Sequence, residues 1–531
     1  MSLPPSPGPA PRARSPRRLT GLALLPAAVL ALCMALEPAW AQQQQGRPAR
    51  DQEAQSQDRA EKARDDARKF PADVTTEHTL DLPGRTLKFT ATLGSIPLFD
   101  GEGGPLLAEI GFVAFRRVGG DVAQRPLTFA FNGGPGAAAA YLNIGAIGPW
   151  RLPMEKPAPS DVPVTVPNAE TWLDFTDLVF VDPVGTGYSW STARGDDLRR
   201  RFWSVDADIS GLATFVRKWV EKNDRQASPK TILGESYGGY RAPRLARELQ
   251  SSQGVGVRGV IMLSPVLDFA WRFQPRHSPM RWVSELPSMA AARGDATRGD
   301  ASLNRQAMAE AERYASGEFM ADLLKGPGDK AAVDRMSARV AALTGLDPDA
   351  VRKLAGRVDV STFTHERQKG RVASAYDATI TGVDPQPFAP GPHGDDPVLD
   401  AIEAPLSAAM TDLYRRLGWR IDRPYRLLNR EVSGQWQWGG RRSAPEALSD
   451  LRDGLALDPN MRALVAHGAT DLVTPYYENK LLLAQLPDLG GPDRLRLQVY
   501  PGGHMFYARQ DARAAFRADA EALYRPAEAG R

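Results

Sequence analysis

Apolar residues are distributed along this chain in a way that changes character several times after residue 70. Leu87 to Leu93 and Gly111 to Phe115 are short apolar runs set off by Gly, Pro and Asp, which predicts strands at an antiparallel edge. Leu127 to Phe131, Leu178 to Asp182, Thr231 to Leu233 and Val260 to Leu263 are apolar without clean alternation. A strand covered on one face shows a period of two, whereas one covered on both faces has no polar side, so these four runs predict a central parallel sheet. Val205, Ile209, Leu212, Val216, Trp219 and Val220 recur at steps of three and four, and Ala242, Leu245, Ala246 and Leu249 do the same. Both sets predict amphipathic helices packed on that sheet.

From about residue 270 to 450 the texture becomes Arg-, Ala- and Asp-rich and helical, broken by Pro and Gly, most densely from Asp384 to Pro397. Strand signals return with Arg462 to Ala466, and with Leu495, Leu497 and Val499 alternating with Arg494, Arg496 and Gln498. The expectation is one α/β domain in two parts, residues 71–269 and 451–531, interrupted by a mostly helical cap insertion at 270–450.

The amino-terminal stretch reads differently. Arg12, Arg14, Arg17 and Arg18 precede an apolar run from Leu22 to Leu36, and Ala39-Trp40-Ala41 follows. This is the pattern of a secretory signal peptide cleaved after Ala41; the run is too short for a bilayer span and is broken by Pro26. Export to the periplasm or the medium is expected, with no stable membrane association after cleavage. Residues 42–70 are Gln-rich and then densely charged, with almost no large apolar side chains, which predicts a disordered linker.

Charge and cysteine content narrow the chemistry. The formal net charge is +3, and the signal segment holds four Arg against the single acid Glu37, so the mature chain is near neutral and nucleic acid is not an expected partner. The only cysteine, Cys33, lies in the segment expected to be removed. Disulfides, a cysteine nucleophile and cysteine-ligated metals are thereby excluded from the mature chain, and no cofactor or metal is called for.

Against this background Thr231-Ile232-Leu233-Gly234-Glu235-Ser236-Tyr237-Gly238-Gly239 places a G-x-S-x-G element between a strand and a helix. Such a nucleophile elbow forces strained backbone angles and close approach of neighbouring chain, hence its glycines, and it projects the serine oxygen outward. On a mostly parallel sheet flanked by helices this arrangement defines the α/β-hydrolase fold. Serine needs a base, and the base needs an orienting carboxylate; in this fold they follow in the order acid, histidine. Asp471 lies in the loop after the strand Arg462 to Ala466, and His504 in Pro501-Gly502-Gly503-His504-Met505 after the strand ending at Tyr500. Of the other five histidines only His467 sits at a strand end, and it precedes the acid. Phe131-Asn132-Gly133-Gly134-Pro135-Gly136 follows an early strand, where Gly134, together with Tyr237, is a candidate oxyanion-hole donor through backbone N–H.

Taken together, Asn132-Gly133-Gly134-Pro135-Gly136, the run Val181 to Ser189 (VDPVGTGYS), Gly234-Glu235-Ser236-Tyr237-Gly238-Gly239, the Asp471 loop and Gly502-Gly503-His504-Met505 resemble the serine carboxypeptidase family. The resemblance runs from about Pro71 to Tyr524 and implies release of single residues from peptide C-termini through an acyl-enzyme on Ser236. It also implies that Asn132 and Glu235 bind the free carboxylate of a peptide substrate, Glu235 in its protonated form. Ala130 stands where the family usually has tryptophan, and Ala146 where it has a second glutamate. Glu235 thus lacks the neighbouring carboxyl that would share a proton and raise its pKa, which puts an acidic optimum and strict exopeptidase action in question.

Other readings use the same residues. A triad and oxyanion hole serve an esterase or acyltransferase equally well. A proline-specific aminopeptidase would carry a histidine before the glycine loop, where this chain has Asn132. A non-catalytic secreted binding protein on a hydrolase scaffold would be marked by a lost triad residue, and Ser236, Asp471 and His504 are all present.

Overall fold

The computed structural model describes residues 69–525 apart from 276, 294–304, 390–393, 440–443 and 492. The signal peptide expected at 1–41, and nearly all of the linker expected at 42–70, lie outside the described residues. The strands of the central sheet are β1 (Val74–Leu82), β2 (Arg85–Phe99), β3 (Leu106–Arg117), β4 (Leu127–Phe131), β5 (Asp177–Val181), β6 (Lys230–Glu235), β7 (Gly259–Leu263), β8 (Arg462–Gly468) and β9 (Leu495–Tyr500). They lie in the order β1-β2-β3-β5-β4-β6-β7-β8-β9, with the two-residue strand Trp190–Ser191 paired to β3.

β1 to β3 are antiparallel to one another, and β3 is antiparallel to β5. All pairings from β5 through β4, β6, β7 and β8 to β9 are parallel. Strand β4 lies between β5 and β6, so the chain reverses its direction of travel across the sheet there, and a crevice opens at the carboxyl ends on either side of that point. This mixed, mostly parallel sheet with its crossing order is an α/β-hydrolase fold.

The covering of the sheet explains the sequence pattern. Helix α1 (Val205–Lys222) and helix α2 (Tyr237–Ser252) bury Ile209, Leu212, Val216, Trp219, Leu245 and Leu249 against Phe129, Ile232 and Val260 on one face. The helix Gln510–Tyr524 buries Ala512, Phe516 and Ala520 on the other, with Leu178, Leu233 and Ile261. Every residue of β4, β5, β6 and β7 is buried, and with both faces covered no alternation is selected.

Strand β1 was not visible as an apolar run because its inward positions include Thr76 and His78; its burial nonetheless alternates along the strand. Between β7 and β8 the described residues are mainly helical, with a small antiparallel hairpin of Arg371–Ala373 and Thr381–Val383. That segment buries its apolar residues in two places. Val283, Leu286, Met336, Val340 and Phe363 form a separate core that reaches Leu472 and Tyr476 beside Asp471. Ile402, Leu406, Ala409, Met410 and Leu413 of the helix Leu399–Arg416 enter the main core instead. No helix among the described residues is long and apolar enough to cross a membrane.

Candidate active site

Every motif singled out in the sequence sits at the carboxyl end of a strand. Asn132 follows β4, Asp182 follows β5, Ser236 follows β6, Asp471 lies three residues beyond β8, and His504 lies four beyond β9. Because these strands are parallel neighbours, side chains more than a hundred residues apart are brought to one rim of the sheet.

The turn at Ser236 has φ 59° and ψ −120°, a conformation that L residues rarely adopt. Its strain is held in place by Ser236 N–H donating to the Leu263 carbonyl of β7 at 2.8 Å. A Cβ on Gly234 would sit 1.8 Å from the Gly238 carbonyl oxygen, so strand and helix close on each other only with glycine there. Ser236 itself is half-buried, while the residues on either side are fully covered.

His504 Nδ1 lies 2.7 Å from Asp471 Oδ2, and both residues are buried. The Asp471 carboxylate also accepts from the backbone N–H of Val473 and Thr474, at 2.8 and 2.9 Å. The Thr474 hydroxyl is 2.6 Å from Asp471 Oδ2 and 2.9 Å from the Ser264 carbonyl. Burial alone would push this carboxyl up, but the imidazole and the threonine bonds overcome that and hold it below the usual aspartate range. Burial likewise disfavours a charged His504, and Asp471 outweighs it, so the imidazole pKa is raised.

The histidine is fixed from its own backbone as well. His504 N–H donates to the Tyr376 carbonyl at 2.6 Å, and its carbonyl accepts from Ser264 Oγ at 2.9 Å. The Tyr376 ring stands edge-on to the imidazole with centroids 5.3 Å apart. No hydrogen bond joins Ser236 Oγ to His504 among the described residues, so the trio is closed on its acid side and open on its nucleophile side.

His467, the competing histidine, is the sixth residue of β8 and is fully buried. Its Nε2 pairs with Asn479 Nδ2 at 2.9 Å, and burial drives it down to about 3. A permanently neutral imidazole inside the strand is a packed structural group.

The loop after β4 packs directly on the elbow. Gly134 has φ 97°, and the backbone N–H groups of Gly134 and Tyr237 donate to no acceptor among the described residues. Both donors lie on backbone that adjoins Ser236, the kind of free N–H pair that acyl-transfer chemistry uses against a developing negative charge.

Asn132 and Glu235 meet beneath this loop. Asn132 Nδ2 donates to Glu235 Oε2 at 2.6 Å, and Asn132 Oδ1 accepts from the Leu142 N–H at 3.1 Å. The Tyr507 hydroxyl donates to Glu235, 2.9 Å from Oε1 and 3.0 Å from Oε2. Ala130 is buried in β4 and Ala146 in a short π-helical turn, Asn143–Ile147.

Here the structure corrects the sequence-based expectation. Glu235 does not need a second carboxyl to hold a proton: burial raises it to about 7, with His504, Tyr507 and Asn132 pulling only partly the other way. Tyr507, Thr474, Ser264 and Tyr376 were not identified from the sequence. Thr474 carries a weak local signal, since a threonine three residues after an aspartate suits a side-chain turn; Tyr507 and Tyr376 carry none. No group of three or more His, Cys, Asp or Glu that could hold a metal ion occurs among the described residues.

Comparison with known proteins bears on the first part of this site. The sequence model of the family described as "Serine carboxypeptidase" matches residues 112–273, a narrower stretch than the motifs had suggested. The pheromone-processing carboxypeptidase KEX1 of Yarrowia lipolytica is 30% identical over 144 residues, 27% of this chain and 22% of that protein. Serine carboxypeptidase-like 36 of Arabidopsis thaliana is 26% identical over 162 residues, 29% of this chain and 32% of that protein. The chain therefore spans between 22% and 32% of the length of these two relatives. Among solved structures, esterase E22 aligns with a TM-score of 0.37 at 12% identity, covering 82% of this chain and all of that one. Homoserine O-acetyltransferase from Bacillus anthracis aligns with a TM-score of 0.36 at 11% identity, covering 86% of this chain and 99% of that one. Over residues 112–273, the stretch that holds the glycine loop, the Asp182 motif and the Ser236 elbow on an α/β-hydrolase sheet, this chain is similar to the serine carboxypeptidase family.

Proposed function

We propose that this protein is an exported serine carboxypeptidase that releases C-terminal residues from peptides through an acyl-enzyme on Ser236. The observation that carries the reading is the buried Asn132–Glu235 pair, joined at 2.6 Å, with Glu235 directly before the nucleophile. An amide and a carboxyl kept neutral by burial both donate hydrogen bonds to a carboxylate, which an esterase has no need to do.

In this mechanism Ser236 Oγ attacks the scissile carbonyl carbon while His504 Nε2 takes its proton. Asp471, bonded to Nδ1, fixes the tautomer that leaves Nε2 free to accept and stabilises the imidazolium that results. The N–H groups of Gly134 and Tyr237 receive the developing oxyanion. His504 passes its proton to the leaving amine, the C–N bond breaks, and water repeats the sequence to free the acyl group. The substrate's own carboxylate is held by Asn132 and protonated Glu235. Export rests on residues 1–41 alone.

A second reading, an esterase or acyltransferase, is favoured by one observation. Both oxygens of Glu235 and the Oδ1 of Asn132 already have partners inside the protein, and Ala130 and Ala146 add nothing to a carboxylate site. Matched peptides with free and amidated C-termini, digested in parallel and read by mass spectrometry, separate the two. Loss of single residues from the free peptide only supports carboxypeptidase action; equal cleavage of both, or cleavage of esters alone, overturns it.

A further inference from the structure

The Asp182 motif and the segment between β7 and β8 meet in a way that the reaction above leaves unused. Residues Tyr425–Asn429 run as a strap between the glycine loop after β4 and the loop after β5. On one side Leu427 accepts from the Ala138 N–H at 2.8 Å, and the Asn429 N–H donates to the Gly136 carbonyl at 2.8 Å. On the other side Arg426 and Gly187 exchange both backbone bonds, at 2.8 and 3.0 Å, and Asn429 Nδ2 donates to the Gly185 carbonyl at 2.8 Å. The strap thus forms short antiparallel bridges to both loops at once.

Asp182 closes the same arrangement from below. Its Oδ1 accepts from the Ala139 N–H at 2.8 Å, and the Tyr425 hydroxyl donates to the carboxylate, 3.2 Å from Oδ2. The Tyr414 hydroxyl stands 3.5 Å from Oδ2. Asp182 is buried, and that burial raises it to about 6 against the pull of these donors. A group that costs free energy to bury, spent on one loop, points to a requirement for that loop's position.

The loop in question carries Gly134. Between Gly134 and the helical turn that starts at Ala140, the backbone has three anchors outside itself: the Leu427 carbonyl, the Asn429 N–H and Asp182. An oxyanion donor stabilises the transition state only when it is already aimed, and a misplacement of about 1 Å costs on the order of a hundredfold in rate. We propose that Asp182 and the strap Tyr425–Asn429 are positioning residues of the oxyanion hole, setting where the Gly134 N–H points. The inference rests on the hydrolase reading above and gives the β7–β8 segment a role in the chemistry, beyond covering the site.

The test uses Tyr425→Phe, Asp182→Ala and Asp182→Asn in the full chain, with Leu80→Ala in β1 as a destabilised control. A chromogenic ester gives kcat and KM, a peptide aldehyde gives the affinity for a tetrahedral adduct, and thermal midpoints are recorded for all. Asp182→Ala is expected to lower kcat about ten- to a hundredfold with KM within about twofold, and aldehyde affinity falls by the same factor. Tyr425→Phe, which removes one hydroxyl, shows the same pattern at about three- to tenfold. Asp182→Asn keeps an acceptor for Ala139 and recovers most of the rate; Leu80→Ala leaves kcat unchanged. Should Asp182→Ala fail to fold, Tyr425→Phe carries the test. Unchanged kcat in Tyr425→Phe, or a loss carried by KM with aldehyde affinity intact, overturns the positioning role while leaving the hydrolase standing. A wild-type protein that neither turns over the ester nor binds the aldehyde overturns both.

Discussion

His504 Nδ1 and Asp471 Oδ2 lie 2.7 Å apart in a buried pocket that Thr474 closes from the third side. The bond decides which ring nitrogen carries the proton. Asp471→Asn would offer an amide in place of an acceptor and favour the wrong tautomer, so kcat is expected to fall on the order of 10³- to 10⁴-fold with the thermal midpoint little changed. Thr474→Val removes one hydrogen bond to a charged group, about 1.5 kcal/mol, and should cost about tenfold. Steady-state kinetics on an ester substrate measures both.

The pH dependence separates the two proposed roles at the site. His504 acts as base only when neutral, and its pKa is raised, so turnover of any acyl substrate should climb as pH rises through that raised value. Glu235 donates only when protonated, and burial holds it at about 7, so cleavage of free-carboxylate peptides should then decline as pH passes that point. Esters and amidated substrates should show the rise without the decline. The Tyr507 hydroxyl favours the ionised form of Glu235, so Tyr507→Phe should move the declining limb to higher pH. Profiles of kcat/KM for paired substrates read these shifts.

Glu478 gives a stability prediction with a definite sign. It is buried beside Arg272, and burial raises it to about 7 against that cation. A carboxyl whose folded pKa is raised adds stability below its unfolded pKa, about 4.3, and loses it as pH rises through the folded value. Glu478→Gln lacks this ionisation. Its thermal midpoint relative to wild type should therefore improve steadily as pH rises from about 4.5 to about 7.5, and stay level below that range.

The glycine loop offers a steric test. A Cβ on Gly133 would sit 2.5 Å from Tyr237 N, 2.6 Å from the Glu235 carbonyl oxygen and 2.9 Å from Gly238 N, all backbone atoms. Gly133→Ala must push the loop and the elbow apart, with an expected loss of about 1–3 kcal/mol in stability and a fall in kcat larger than that of a surface variant equally destabilised. Denaturant unfolding together with ester kinetics reads both.

The sequence made the rim of the site legible because each element there obeys a local rule. Ser236 sits in a turn that demands glycines, Asp471 and His504 stand just past strand runs, and parallel strands deliver such loops to one edge. What stayed illegible depends on burial and on distant contacts. Glu235 lost its sequence-based proton partner at Ala146, yet the fold raises its pKa by desolvation, a property no local pattern encodes. Tyr507, Tyr376 and the strap at Tyr425 reach the site only through tertiary packing. Strand β1 escaped notice because polar Thr76 and His78 occupy its inward positions. The helix Leu399–Arg416 falls within the segment expected to be a cap insertion, yet its apolar stripe joins the main core.

Labelling with a fluorophosphonate reagent, followed by peptide mapping, tests the central claim most directly. Stoichiometric modification at Ser236 is expected, lost in Ser236→Ala and strongly slowed in His504→Ala, with both variants folded. Modification at another residue, or undiminished labelling in Ser236→Ala, would contradict the account.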